Sequence, residues 1–465
     1  MAGRQPPCQR GAIRWQKPSP MSRAPSSPAA APSSGWLNKK WWKFPVKYWL
    51  LGILLLFAVA AIGGAIFLHR KIIPYRPEHS FAVRDPAFFG SAHALADPVP
   101  LPGNKIELLQ NGDGMFPPML AAIRGAQKSV NFEAYIFYSD EIGHQFRDAL
   151  CERARAGLQV RVLLDGLGSG WKLDNGDVEM MKQAGCRFAY YHPTHQWRVD
   201  QLNRRTHRRV MVIDGKLGFV GSAGFAKAWA GHADNKDHWR DQHARVEGPL
   251  VGKLQGAFQQ HWMKSYQEEL SGDDQFPALP PAGNLVTQLV DSHSFSLATV
   301  PLVQATAIAA AEKNIFITNA YFTPTKDQVE VLVKAVARGV DVRILLPGKH
   351  NDQPATKSAG RTAYGKLLEG GVKIFEYQPT MIHQKTLVVD GMFAMFGSSN
   401  LDSRSTQINE ELDITVYDEG FGKQMETIFN EDLKQAKPYT LEEFKKRGLW
   451  ERFTEWVMIP FSSQV

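Results

Sequence analysis

Three cysteines in 465 residues (Cys8, Cys151 and Cys186) are too few for a disulfide scaffold. No CxxC and no His/Cys zinc spacing occurs, which excludes a structural zinc domain. Acidic residues are missing altogether from positions 1–47, where nine basic residues stand: Arg4, Arg10, Arg14, Lys17, Arg23, Lys39, Lys40, Lys43 and Lys47. Without that stretch 45 basic residues face 46 acidic ones, so the net charge of +8 belongs to a tail and the body is close to neutral. A body built to hold nucleic acid carries its own excess of Lys and Arg, so no nucleic-acid partner is expected. What is present is a chain 44% apolar and 22% charged, rich enough to build a packed core and unlike a disordered or collagen-like sequence. At about 150 residues per domain its length predicts two or three domains.

Residues 48–68, YWLLGILLLFAVAAIGGAIFL, carry no charge. At about 1.5 Å per residue such a run spans the ~30 Å hydrocarbon core. Trp41, Trp42, Tyr48 and Trp49 form an aromatic belt at one end, and His69-Arg70-Lys71 occupies the place where a cleaved signal would have small residues. A retained single-pass anchor is expected. The lysines before it outnumber Arg70 and Lys71 after it, which keeps the N-terminus cytoplasmic and puts the body across the membrane, periplasmic in a Gram-negative cell. Residues 1–47 read as a disordered Pro/Ser/Ala-rich basic tail in which Met21 offers a second start. The six prolines of residues 69–104 read as a linker that lifts the body off the bilayer.

An internal repeat organises the rest. VNFEAYIF (130–137) and VRVLLDG (160–166) return as IFITNAYF (315–322) and VRILLPG (342–348). AGCRFAYYHP (184–193) returns as GGVKIFEYQP (370–379), and HRRVMVIDGKLGFVGSAGF (207–225) as HQKTLVVDGMFAMFGSSNL (383–401), the last without a slip. Short Val/Ile/Leu/Phe runs alternate with helical patterns, which predicts an α/β fold with a mixed or parallel sheet. The domains expected are 105–272 and 273–435, related by a pseudo-twofold axis that brings equivalent residues to the seam, followed by a basic aromatic segment 436–465. Cys186 aligns with Val372 and reads as a small buried hydrophobe.

Each repeat carries His-x-Arg/Lys-x4-Asp, then Gly-Ser seven residues after the Asp: His207, Arg209, Asp214 and Ser222 in the first, His383, Lys385, Asp390 and Ser398 in the second. This arrangement resembles the phospholipase D superfamily with its two HKD motifs. Together with Trp239-Arg240-Asp241, Arg245-Val246-Glu247-Gly248-Pro249 and Asn400-Leu401-Asp402-Ser403-Arg404-Ser405, it looks like bacterial cardiolipin synthases over residues 105–460. The resemblance implies a tandem pair of α-β-α sandwich domains.

The residue types suit phosphodiester chemistry without the resemblance. An imidazole titrates near pH ~6.5, so one can attack phosphorus while the other protonates the departing alcohol. Which one attacks is open from near-symmetric motifs; the resemblance implies His207 as nucleophile and His383 as acid. Arg209 and Lys385 would hold the phosphate oxygens, with Ser222, Ser398 and Asn400 adding hydrogen bonds. Two cations in the site make a metal or other cofactor unnecessary. A carboxylate should orient each imidazole: the resemblance implies Glu411, and DQHARV (241–246) aligned on ELDITV (411–416) makes Asp241 its counterpart. Asp214 and Asp390 complete the motif set at strand ends, where they hold the loop rather than touch substrate.

Two positions depart from the pattern. Arg209 stands where the resemblance implies Lys, and Gly224 where the second copy has Asn400. Arginine keeps the charge and binds phosphate with two hydrogen bonds. His232, His238 and His243 lack metal-site spacing and read as a polar substrate-side loop, as do His192 and His195. DGLGSGWK (165–172) reads as a turn. The basic aromatic run 442–461 reads either as an interfacial helix or as a cap on the second domain. The function expected is condensation of two phosphatidylglycerols into cardiolipin with release of glycerol. The alternatives are a phospholipase D acting with water, a nuclease of the same superfamily, and a lipid-binding scaffold with a decayed first site. The partners expected are phospholipid and membrane, with the oligomeric state open.

Overall fold

Each His-x-Arg/Lys-x4-Asp motif runs straight into a buried strand that ends in a tight Asp-Gly hairpin. In a computed structural model describing residues 47–57, 77–95, 100–193, 203–292 and 299–458, Asp214 and Gly215 take φ of 52° and 64°, and Asp390 and Gly391 take 55° and 60°. Two successive positive φ angles are what a type I′ turn requires, and Asp-Gly meets that demand at low cost. The Lys216 N–H closes the first turn on the Ile213 carbonyl at 2.9 Å, and the Met392 N–H closes the second on Val389 at 3.0 Å.

The first half contributes strands β1 (Leu101–Gln110), β2 (Ser129–Ala134), β3 (Gln159–Asp165), β4 (Arg187–Tyr191), β5 (Val210–Ile213), β6 (Leu217–Gly221) and β7 (Gln242–Glu247). The second contributes β8 (Leu285–Ser292), β9 (Asn314–Asn319), β10 (Asp341–Pro347), β11 (Lys373–Tyr377), β12 (Lys385–Val389), β13 (Phe393–Gly397), β14 (Glu411–Tyr417) and β15 (Ala436–Tyr439). All lie in one mixed sheet of order β4-β3-β2-β5-β6-β7-β1-β8-β14-β13-β12-β9-β10-β11-β15. Reading outward from the β1–β8 pair, the two halves repeat the same strand sequence, with β15 added at one edge. The seam is antiparallel, Leu101 facing Thr287 and Asn104 facing Leu285, and Asn104 Nδ2 donates to Thr287 Oγ1 at 2.9 Å. The halves are therefore two arms of one sheet.

Side chains alternate across that sheet as the period of two demands. On β5, Met211 and Ile213 enter the first half's own core while Val210 and Val212 enter a core on the other face. On β12, Leu387 and Val389 enter the second half's core, and Val388 joins Val210 and Val212 on the opposite face. Helices 111–125, 141–155 and 175–183 cover one face of the first half, and helices 299–310, 326–337 and 354–369 cover one face of the second. Helices 250–266 and 419–433 supply Leu254 and Phe421 to the third core, which draws on both halves. Asp140 caps helix 141–155, and a Thr325–Gln328 capping box starts helix 326–337.

The Pro-rich stretch departs from the expected free linker. Residues 86–95 form a helix whose Phe88 is fully buried in the second half's core, edge-on to Phe393 at 5.7 Å, and β1 already begins at Leu101. Prolines do not prevent docking when apolar side chains between them find a core. Beyond β15, Phe444 reaches the second half's core, whereas Trp450, Phe453 and Trp456 on helix 449–458 stand exposed. Cys186 is buried, as is Cys151.

Residues 47–57 are helical with Trp49 and Leu50–Phe57 largely exposed. Residues 1–46 and 58–68 lie outside the described residues, and among the described residues no helix is long and apolar enough to cross a membrane.

Candidate active site

Two isolated parallel bridges stitch the halves together above the seam. Thr206 pairs with Glu410, and Arg240 pairs with Ile382. The His207 N–H donates to the Glu410 carbonyl at 2.9 Å, and the His383 N–H donates to the Arg240 carbonyl at 2.7 Å. Each bridge sets a motif histidine beside the carboxylate of the other half.

His207 Nδ1 lies 2.9 and 3.0 Å from the two carboxylate oxygens of Glu411, and His383 Nδ1 lies 2.7 Å from Asp241 Oδ2. A carboxylate accepts, so each imidazole carries its proton on Nδ1 and has Nε2 as its reactive nitrogen. The pairing is crossed, which alignment of the two copies does not reveal. Arg209 and Lys385 occupy equivalent places: Arg209 Nη1 donates to the His207 carbonyl, and Lys385 Nζ donates to the His383 carbonyl at 2.6 Å. Lys385 Nζ also lies 2.9 Å from His383 Nε2.

His207, His383, Arg209 and Asn400 line one cavity of about 660 Å³ together with Arg404 and a set of aromatic side chains. Trp229, Trp239 and Tyr321 surround His383 with ring centroids 5.3, 5.5 and 5.7 Å away. Tyr135 meets His207 edge-on at 5.0 Å, with the Arg209 guanidinium 5.4 Å from its ring. Tyr135 and Tyr321, Trp229 and Arg404 are site residues that motif spacing missed. The repeated Ala-Tyr of 134–135 and 320–321 was the available signal for the tyrosines.

Burial and then Arg209, Lys385 and Arg404 hold the pKa of His207 well below its ordinary value. Burial and Lys385 bring His383 down to about 3, against the pull of Asp241. Lys385 falls to about 7, because burial and Arg209 outweigh Asp241 and Glu411. Burial works against ionising Asp241, but His383, Lys385 and Ser222 outweigh it and hold the carboxyl below its usual range; burial pushes Glu411 up. Both imidazoles are thus held toward their neutral form, by burial first and by the neighbouring cations second.

Other residues stand elsewhere than expected. Ser222 and Ser398, read as donors to substrate, give their hydroxyls to the orienting carboxylates: Ser222 to Asp241, and Ser398 to Glu411 at 2.6 Å. Asp241 and Glu411 are buried behind the imidazoles rather than lining the cavity. Asp214 accepts from the backbone N–H groups of Gln127, Lys128 and Ser129, and Asp390 from those of Glu312, Lys313 and Asn314. Grouped by motif with the catalytic residues, these two aspartates instead tie each hairpin to the start of the neighbouring strand, as their place at strand ends implied. Asn400 faces the cavity with a buried Oδ1 that lacks a partner.

The departure at Gly224 has a steric cause. A Cβ there would fall 2.8 Å from Trp229 Cζ3 and 3.0 Å from Ile136 Cβ. Trp229 fills the space that a longer side chain would take, and its Nε1–H donates to Asp241 Oδ2 at 2.7 Å. The first half has exchanged an amide for an indole rather than decayed.

His243, expected in a loop, is buried on β7, while His232 and His238 pair with Asp113 and Asp234 at the surface. Among the described residues no group of three His, Cys, Asp or Glu side chains is placed to hold a metal ion. The turn after β3 has its Leu167 and Gly168 N–H groups satisfied by Asp165 Oδ1 at 2.9 Å, so they are not free to cradle phosphate. His195 lies outside the described residues.

Comparison with known proteins bears on the same residues. A family model described as cardiolipin synthase, PLD-like domain, matches residues 119–262 and 305–433, once in each half. A cardiolipin synthase A of Pseudomonas syringae is 31% identical over 389 residues, covering 83% of this chain and 79% of that protein. A cardiolipin synthase of Clostridium perfringens is 32% identical over 363 residues, covering 76% and 75%. Among solved structures, the phosphatidylserine synthase of Haemophilus influenzae superimposes with a TM-score of 0.63 at 14% identity, over 80% of this chain and 96% of that one, a likeness of fold. With the model matched in both arms of the sheet and relatives aligned over most of their own length, the chain belongs to the cardiolipin synthase family of phospholipase D-like proteins.

Proposed function

We propose that this protein is a phosphatidyltransferase that condenses two phosphatidylglycerols into cardiolipin and glycerol. The observation that carries the reading is the pair of imidazoles on one cavity, each oriented through Nδ1 by the other half's carboxylate and each beside its own cation. In the first step His207 Nε2 attacks phosphorus, the bond to the glycerol oxygen breaks, and His383 gives that oxygen a proton. Glu411 stabilises the charge that forms on His207. In the second step a hydroxyl of another phosphatidylglycerol gives its proton to His383 and attacks phosphorus, which frees His207. Arg209, Lys385 and Arg404 neutralise the phosphoryl oxygens. A bound phosphate offsets the cationic part of what depresses His383 and so favours its protonated form.

Residues 48–68 act as the anchor on this reading, with the body on the periplasmic side of an inner membrane. The uncharged run, the lysines before it and the exposed apolar helix at 47–57 support this. The exposed Trp450, Phe453 and Trp456 add a second apolar face suited to the bilayer interface.

The test is incubation of the detergent-solubilised protein with phosphatidylglycerol, followed by chromatography of the lipids. Cardiolipin with equimolar glycerol supports the reading. Phosphatidic acid alone would establish a hydrolase instead.

A further inference from the structure

The two end walls of the cavity are not equivalent. Gly166 and Gly348 are matching residues at the start of the loops after β3 and β10, and beyond them the two loops diverge. The first brings Trp171 and Lys172 to the cavity and the second brings Asp352 and Gln353. The second half's loop thus sets a carboxylate in the wall, and the first half's loop sets none there.

The tyrosines sharpen the difference. Tyr321 lies edge-on to His383, its ring 5.7 Å from Lys385 Nζ, and its hydroxyl donates to Asp352 with both carboxylate oxygens at 3.0 Å. Tyr135 stands in the same relation to His207, but no acidic residue of the loop after β3 lines the cavity beside it. A chain of contacts thus leads from His383 through Tyr321 to an acidic group that is open to the cavity and that the two-step transfer does not use. Each carboxylate oxygen has about two acceptor sites, so one phenol leaves Asp352 with capacity for further hydroxyl groups.

We propose that Asp352, held by Tyr321, accepts a hydrogen bond from the hydroxyl next to the reacting oxygen of a glycerol headgroup on the His383 side of the cavity and so selects a polyol over water or a simple alcohol. This rests on the transfer reading above and adds to it the group that chooses the acceptor. His383 protonates the departing alcohol, so that alcohol occupies its side. The second step is the first run backwards with another alcohol, so the incoming headgroup occupies the same subsite. The attacking O–H gives its proton to His383 while the hydroxyl on the adjacent carbon donates to the carboxylate, and water and monohydric alcohols lack that second hydroxyl.

The test uses the full-length detergent-solubilised protein with a phosphatidyl p-nitrophenol donor, whose leaving group needs neither diol recognition nor acid assistance. Glycerol and 1-propanol are supplied together at equal concentration, and the ratio of phosphatidylglycerol to phosphatidylpropanol is measured. Both alcohols compete for the same phosphatidyl-enzyme, so the ratio is independent of how much protein is folded or active. The wild type is expected to favour glycerol, and Asp352→Asn to lower the ratio by about tenfold or more, since a site built for hydroxyl groups discriminates through them. Tyr321→Phe, which leaves the carboxylate but removes its tether, should lower the ratio in the same direction. A ratio unchanged in both variants overturns the assignment. A wild type that forms only phosphatidic acid overturns the transfer reading itself, an outcome visible without any variant.

Discussion

His207 is oriented by Glu411, a carboxylate 204 residues further along the chain, with Nδ1 2.9 Å from Oε2. His383 takes Asp241 in return, so each catalytic pair straddles the seam. Glu411→Gln should therefore strike the chemistry of the first motif although it lies in the second half. The amide cannot enforce the reactive tautomer, and kcat should fall by about 10²–10⁴. Steady-state cardiolipin formation measures it, and a fall of less than threefold would remove Glu411 from its role.

Turnover should be lost in both His207→Ala and His383→Ala, but the two lesions should differ when the donor carries a good leaving group. His383→Ala still has a nucleophile and should accumulate an acid-labile phosphatidyl-enzyme, trapped by rapid quench and located by mass spectrometry on His207. His207→Ala should show no adduct. An adduct on His383 in the His207 variant would reverse the assignment of nucleophile and acid.

Raising the pH should lower kcat/KM above about 7. Burial and Arg209 depress the Lys385 ammonium to about 7, so it loses its proton and one phosphate-binding charge as pH passes that value. The free-enzyme profile, read from kcat/KM, should fall there, while kcat holds to higher pH because bound phosphate restores the ammonium. Lys385→Arg keeps the charge at every accessible pH and should abolish that limb.

Restoring the repeat at Gly224 should do harm. Gly224→Asn puts a Cβ 2.8 Å from the Trp229 ring and should cost about 1–3 kcal/mol of stability through overpacking. It should also lower activity, because Trp229 holds Asp241 at 2.7 Å. Thermal unfolding and turnover measure the two effects, and a variant as stable and active as the wild type would leave the glycine without its steric reason.

Asp390→Ala should separate structure from chemistry within the motif. Its carboxylate accepts three backbone N–H groups at 2.8–2.9 Å, so its loss should destabilise the fold by about 2–3 kcal/mol. Below the unfolding temperature kcat should stay within about threefold of the wild type, since no reacting atom is touched. Denaturant melts and initial rates decide the matter.

Much of this was legible in the chain. Register between the two copies located His207, His383 and both cations, and the family resemblance implied Glu411, which alignment of the copies carried to Asp241, because residues at fixed places on equivalent strands keep their spacing. The crossing of those carboxylates was not legible, since it arises where the β1–β8 pair joins the arms, and neither copy alone encodes that junction. Ser222 and Ser398 were misread for a related reason: spacing places a hydroxyl near the site but does not say on which side of the imidazole it lies. Trp229 left only an indirect trace, a glycine where the other copy has a side chain. Asp352 left none, because the loops after β3 and β10 are where the two copies diverge.

The crossed pairs make the working centre a property of the joined arms. Cut between residues 272 and 284, the polypeptide would yield two fragments, each holding one imidazole and the wrong carboxylate, and both chemically blank. Mixed, they could recover turnover only by rebuilding the antiparallel contact of Leu101 with Thr287, so activity in such a split protein would report reassembly itself.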